Sequence, residues 1–121
     1  MKFMLILKST KDSEAGKMPS EEVINAMVKY NQEQAKAGIL LDAAGLYPSS
    51  KNGARVRLAP SGKKTVIDGP FTESKELVAG YWIIQVKSIE EAIEWAKRAP
   101  YSPDGSGQET EIEVREFIEF E

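Results

Sequence analysis

Acid–base chemistry in this chain must be built from carboxylates, lysines and tyrosines, because its 121 residues include no histidine and no cysteine. Thiol nucleophiles, disulfides and zinc sites made of Cys or His are excluded on the same ground. A group that acts as acid or base near neutral pH is then one whose pKa its surroundings have moved. Asp68 is the first candidate base. It opens the run Asp68-Gly69-Pro70-Phe71, where a rigid Gly-Pro turn holds the carboxylate at the mouth of a sheet and partial desolvation favours its protonated form. The competing reading is an Asx turn in which Asp68 bonds its own backbone and Gly69 and Pro70 only set the conformation. Tyr81 offers a hydroxyl, as an acid or as a contact between copies. Phe71 either anchors its loop or provides a face on which a ligand stacks. Oxygen ligands alone, from Asp68, Glu73 and Glu113, match no calcium-loop spacing, and no Gly-rich phosphate loop or nucleophile elbow is present. Neither a metal nor a cofactor is expected.

The elements that position these groups follow from periodicity. Lys2 to Lys8 is a short apolar run that fits a buried first strand, and the polar stretch after it, through Pro19, reads as a loop. Ser20 before Glu21 and Glu22 is an N-cap with dipole-favoured acids, opening a helix with Val23, Met27, Tyr30 and Ala37 inward and Gly38 as its stop. Leu40 to Tyr47 follows as a strand. Arg55 to Leu58 and Thr65 to Ile67 flank Pro60-Ser61-Gly62-Lys63 as a hairpin outside the main sheet. Gly80 to Val86, aromatic and β-branched, has the character of a central strand. Ser88 and Glu91 have capping-box spacing for a helix with Ile89, Ala92, Ile93 and Ala96 on its inner face, ended by Pro100. After the loop Tyr101 to Gln108, Ile112 to Phe120 alternates as a last strand.

This order is β-α-β, a hairpin, then β-α-β: an α+β chain with the split βαβ pattern of a ferredoxin-like fold, an antiparallel sheet with both helices on one face and an extra β-hairpin. The whole chain, 1–121, reads as one domain. Alternation assigns Phe3, Leu5, Leu7, Trp82, Ile84, Val86, Ile112, Val114 and Ile118 to the helix side. The opposite set is mixed: Met4, Ile6, Lys8, Tyr81, Ile83, Gln85, Glu113, Arg115 and Phe117. That face has no layer of its own to cover it, so a second copy is the simplest cover and a homodimer is expected. On such a face Lys8 and Arg115 either pair with Glu113 and Asp68 in a structural network or hold an anionic ligand, with Gln85 as an orienting group.

The segment Asp68-Gly69-Pro70-Phe71-Thr72-Glu73-Ser74-Lys75-Glu76 followed by Ala79-Gly80-Tyr81-Trp82, the helix piece Glu91-Ala92-Ile93-Glu94-Trp95-Ala96, the Ala99-Pro100 stop and the late Ile112-Glu113-Val114-Arg115 resemble the DGPF-motif branch of the YCII-related family over nearly the whole chain. The resemblance implies a dimeric α+β barrel in which two ferredoxin-like sheets face each other and enclose pockets. Many relatives are regarded as enzymes because of a histidine–aspartate pair. Here Asp68 matches the aspartate and no histidine exists to complete it. Glu116-Phe117 also replaces the proline and aliphatic residue usual after the arginine. Family members are often encoded beside alternative sigma factors, so the resemblance leaves a regulatory role open beside a catalytic one.

Charge narrows the partners. Sixteen basic and 19 acidic residues give a formal net charge of -3, spread without a basic stripe, so nucleic acid is not expected. Apolar runs are far shorter than the roughly 20 residues that cross a bilayer, and the N-terminus lacks a long apolar core and cleavage site. No membrane association is expected, and the expected location is the cytoplasm. Two functions remain. One is a small-molecule enzyme performing cofactor-independent proton transfer or elimination on a small acidic or aromatic substrate, with Asp68 as base, Arg115 as anion clamp and Lys8, Tyr81 and Gln85 orienting. The other is a non-catalytic ligand-binding or regulatory module that contacts a protein such as a sigma factor.

Overall fold

In the computed structural model, residues 1–100 and 109–120 are described; the expected loop Tyr101 to Gln108 lies outside them. Strand β1, Lys2–Lys8, buries every second residue, as a strand covered on one face must. Thr10 then accepts from the backbone N–H of Ser13 at 3.1 Å and caps a single helical turn, α1, Lys11–Glu14. The sequence reading has a loop here, because four polar residues carry no apolar period. The usable signal is the hydroxyl pair three residues apart, which bonds reciprocally.

Helix α2, Glu21–Lys36, begins at Ser20, whose Oγ takes the N–H of Val23 at 3.3 Å. It ends at Gly38, whose φ of +75° is a conformation other side chains resist. Strand β2 is Leu40–Gly45, shorter than expected. Strands β3, Ala54–Leu58, and β4, Lys64–Asp68, form the hairpin. A short 3-10 turn, Ser74–Glu76, leads into β5, Val78–Gln85. Helix α3, Ile89–Lys97, is capped by Ser88, whose Oγ accepts from Glu91 N–H at 3.2 Å. The Glu91 carboxylate reaches back to the N–H of Lys87, one residue beyond the expected partner. Strand β6 is Ile112–Glu116 and stops before Phe117.

The main sheet runs β2-β5-β1-β6, all neighbours antiparallel, and the hairpin is a separate two-stranded sheet. With the hairpin set aside this is the ferredoxin-like order, and β5 lies beside β1 at the centre. Both helices cover one face. Phe3, Leu5, Leu7, Trp82, Ile84 and Val86 meet Tyr30 of α2 and Ala92 and Trp95 of α3 in one core. Burying each of the large side chains stabilises the fold by about 1.5–3 kcal/mol. The Tyr30 ring meets Trp82 edge-on, centroids 5.3 Å apart at 83°, and its hydroxyl donates to the Trp95 carbonyl at 2.6 Å.

Ala37, expected on the inner face of α2, lies just past the end of that helix and is exposed. Two further inward assignments from the sequence need correction. Ile118, expected on the helix side, lies beyond the end of β6 and is 79% exposed. On α3, Trp95 turns inward beside Ala92, while Ile89 and Ile93 are each left 39% exposed; the helix packs over β6 and β1 with its largest side chain inward. Gln34 is a further surprise. It lies one turn after Tyr30, fully buried, with both side-chain polar atoms lacking a well-formed hydrogen bond.

Candidate functional site

Register places the open face of the sheet residue by residue. Glu113, Ile6, Tyr81 and Ala44 lie opposite one another across β6, β1, β5 and β2. Arg115, Met4, Ile83 and Asp42 form the next row. Each row has a charged or polar end and an apolar middle. At the β6 end, Glu113 lies between two cations, Arg115 at 3.1 Å and Lys8 at 3.7 Å. The hydrogen bond from Arg115, with the charge of Lys8 behind it, holds the Glu113 carboxyl below its ordinary range. At the β2 end, the Tyr81 hydroxyl donates to Asp42 Oδ2 at 3.0 Å. That bond and the negative charge of Asp42 keep the phenol protonated above its ordinary pKa.

On the helix side, a cavity of about 510 Å³ opens between α2, the segment after β1 and the β2 edge. Its size is that of a small-molecule site. Ile24, Met27, Val28 and Asn31 of α2 form one wall, at spacings of three and four that put them on one helix face. Met18 and Pro19 form a second wall and Leu46, Tyr47 and Pro48 a third, with Leu7, Ala43, Ala79 and Trp82 as the floor. Asn31 Oδ1 accepts from the Trp82 indole N–H at 2.7 Å, which turns the amide's nitrogen outward from that bond. Among the described residues, Lys17 is the only charged side chain in the lining, and it pairs with Asp12 at 3.6 Å. Tyr81 is in the lining too, so it is common to the cavity and to the open-face row.

Asp68-Gly69-Pro70-Phe71 does structural work that can be read atom by atom. Ser49 donates from its N–H to Glu14 Oε1 at 2.9 Å and from its hydroxyl to the same oxygen, and that hydroxyl accepts from the N–H of Phe71 at 3.0 Å. A Cβ on Gly69 would stand 2.0 Å from the Ser49 carbonyl oxygen, and one on Gly53 2.2 Å from it. Glycine at both positions lets the turn and the 49–53 loop touch. The Gly69–Pro70 peptide is cis. Phe71 lies under the Arg55 guanidinium at 3.9 Å, which suits an anchor. Asp68 ends β4 opposite Ala54, exposed, with no side-chain hydrogen bond or ion pair among the described residues.

The family model for the YCII-related domain matches residues 1–118. The chain belongs to the YCII-related family. A relative in Rhizobium meliloti (strain 1021), an uncharacterized protein, is 31% identical over 81 residues, covering 67% of this chain and 64% of that protein, just under two-thirds of its length. Among solved structures, the 5-chloro-2-hydroxyhydroquinone dehydrochlorinase of Burkholderia phenoliruptrix, in complex with 2,5-dihydroxybenzoquinone, superposes with a TM-score of 0.48 at 15% identity, over 93% of this chain and 91% of that one.

In this YCII-related chain the structure brings Lys8, Glu113 and Arg115 together and puts Tyr81 and Gln85 on the same face. Asp68 and Phe71 are not part of that group; they lie on and after the hairpin. Lys8 and Arg115 both turn to Glu113, and neither turns to Asp68. The sequence reading missed Asp42, the partner of Tyr81, and the α2 wall of the cavity. Ile24, Val28 and Asn31 carried a legible signal, a second stripe at helical spacing beside the Met27 and Tyr30 stripe.

Proposed function

We propose that this YCII-related protein is a small-molecule enzyme that carries out cofactor-independent proton transfer or elimination on a small acidic or aromatic substrate. The observation that carries the reading is the 510 Å³ cavity with Tyr81 in its lining, the Tyr81 hydroxyl being held by Asp42. An apolar, nearly uncharged cleft, open to solvent on one side, suits an aromatic ring. A phenol kept protonated by Asp42 suits a hydrogen-bond donor that orients a polar substituent of the ring, the proton transfer itself falling to a carboxylate. The base is a carboxylate, and two candidates compete: Asp42, on Tyr81, and Asp68, on the hairpin. Arg115, steadied by Glu113 and close to Lys8, lies on the open face at the β6 edge, the opposite edge of the sheet from this cavity, so in this reading it serves an anion at the dimer face rather than the substrate in the cavity. A second copy covers Met4, Ile6 and Ile83 of the open face, giving a dimeric α+β barrel in the cytoplasm.

The scarcity of charged groups in the lining also favours a second reading, a ligand-binding regulatory module. The two separate in one experiment, in which a panel of small phenols and benzoates is followed by ligand-observed NMR for binding and for turnover. The enzyme reading expects a compound that binds wild type, is lost on filling the cavity with Val28→Trp, and still binds Tyr81→Phe while its conversion falls by about 10²–10⁴-fold. Asp42→Asn and Asp68→Asn then identify the base. Binding without conversion of any compound supports the module. Binding that Val28→Trp leaves untouched removes the cavity from both readings.

A further inference from the structure

Most polar side chains in the cavity lining are already engaged within the chain. Ser13 Oγ donates to the Thr10 carbonyl at 3.1 Å and accepts the Thr10 N–H at 2.8 Å. Lys17 pairs with Asp12, and the Tyr81 hydroxyl donates to Asp42. Asn31 differs. Its Oδ1 accepts the indole N–H of Trp82 at 2.7 Å, and since an indole nitrogen only donates, a reversed amide would set donor against donor. Trp82 is 3% exposed, so this bond ties one end of the amide to the core. The other end, Nδ2 with its two N–H groups, makes no hydrogen bond among the described residues. Nor is it sealed off, because the buried side-chain atoms without a partner among those residues belong to Gln34. Asn31 lines the cavity, and the cavity is the space this nitrogen reaches.

We propose, building on the cavity as the substrate site, that Asn31 determines its specificity and selects a planar ring bearing an uncharged carbonyl oxygen. Two donors with no acceptor beside them require one from the ligand. A carbonyl supplies it with a single oxygen. A hydroxyl would bring a hydrogen of its own that the amide nitrogen cannot accept. A carboxylate would leave water for a lining whose cation, Lys17, is already held by Asp12. Ile24, Met27 and Val28 of α2 and Ala43 of β2 supply apolar surface near the amide, which suits the faces of a ring. Trp82 acts through Asn31 as a positioning residue: it fixes which end of the amide the ligand meets.

The test compares acetophenone with ethylbenzene, two compounds of nearly the same shape that differ by that oxygen. Both are titrated into the full chain, followed by 15N–1H correlation spectra, in wild type, Asn31→Asp and Val28→Trp. Asn31→Asp keeps an oxygen for the Trp82 N–H and exchanges the two donors for an acceptor, so the tie to the core survives while the contact with a carbonyl is lost. The ratio of acetophenone to ethylbenzene affinity should fall about tenfold from wild type to Asn31→Asp. In wild type the Asn31 side-chain amide pair, assigned by triple resonance, should move downfield with acetophenone and not with ethylbenzene. That signal decides by itself if the variant fails to fold. An unchanged ratio, or an amide pair that responds alike to both compounds, overturns the role of Asn31; if Val28→Trp still abolishes binding, the cavity stands as a site. Failure of both compounds to bind wild type overturns the role of Asn31 and the cavity reading together.

Discussion

Leu5 on β1 and Val56 on β3 stand at the centres of two strands with the same alternating pattern, yet Leu5 is fully buried and Val56 is mostly exposed. On β1 and β5 the apolar face meets Tyr30, Ala92 and Trp95 from two helices. On the hairpin the apolar face, with Val56 opposite Val66, stays mostly exposed. A period of two determines which residues share a face. Whether that face becomes core depends on a second layer, and the residues that supply it are distant in sequence. The main sheet therefore holds the stability of the fold, and the hairpin is free to hold contacts.

The largest expected effect tests that division directly. Ile84→Ala removes a side chain with no exposed surface from the centre of the sheet and should cost about 2–5 kcal/mol in urea unfolding, the range for large-to-small changes in a packed core. Val66→Ala on the hairpin should change stability by less than about 0.5 kcal/mol. Similar costs at the two positions would mean that the hairpin is part of the cooperative core.

Legibility in the sequence follows the same line. The strands, the two longer helices and their caps at Ser20 and Ser88 were readable because each rests on local spacing. So was the sharing of a face by Lys8, Tyr81, Glu113 and Arg115, which is alternation again. Distant contacts were not readable. Asp42 reaches Tyr81 from another strand, Glu14 and Ser49 tie down the turn at Phe71 from two other loops, and Trp95 displaces Ile93 from the core through the angle at which α3 docks. Asp68 drew attention through its motif. Around it, the glycine at position 69 is explained by the approach of Ser49, which no spacing rule contains.

Tyr30 supplies the next effect, specific to the packed side. Burial raises its pKa from 10.0 to about 12, so the folded chain retains a proton that the unfolded chain gives up above pH 10. The stability this contributes is fully present below pH 10 and is lost as pH rises towards 12, a fall on the order of 2–3 kcal/mol. Tyr30→Phe should remove that alkaline decline. It should also lower stability at pH 7 by about 1–2 kcal/mol, because the Trp95 carbonyl loses its donor. Urea titrations of both proteins at pH 7, 10 and 11.5 give the comparison. An identical alkaline slope in the variant would assign the loss to other groups.

The smallest effect has the opposite sign, and it lies in the best-packed region. Gln34 is on the inner face of α2 with its amide nitrogen and oxygen both buried and without a well-formed hydrogen bond; the Tyr30 hydroxyl is within its electrostatic reach, so folding strips water from two polar atoms and returns at most a weak contact with Tyr30. Such a group costs about 1–3 kcal/mol. Leucine has nearly the same reach and no polar atom to desolvate. Gln34→Leu should therefore raise stability by about 1–2 kcal/mol and shift the urea midpoint upward with an unchanged slope. A loss of stability instead would show that the amide is satisfied in solution by an ordered internal water, which a leucine would expel. The core between α2 and the sheet would then hold water at this point.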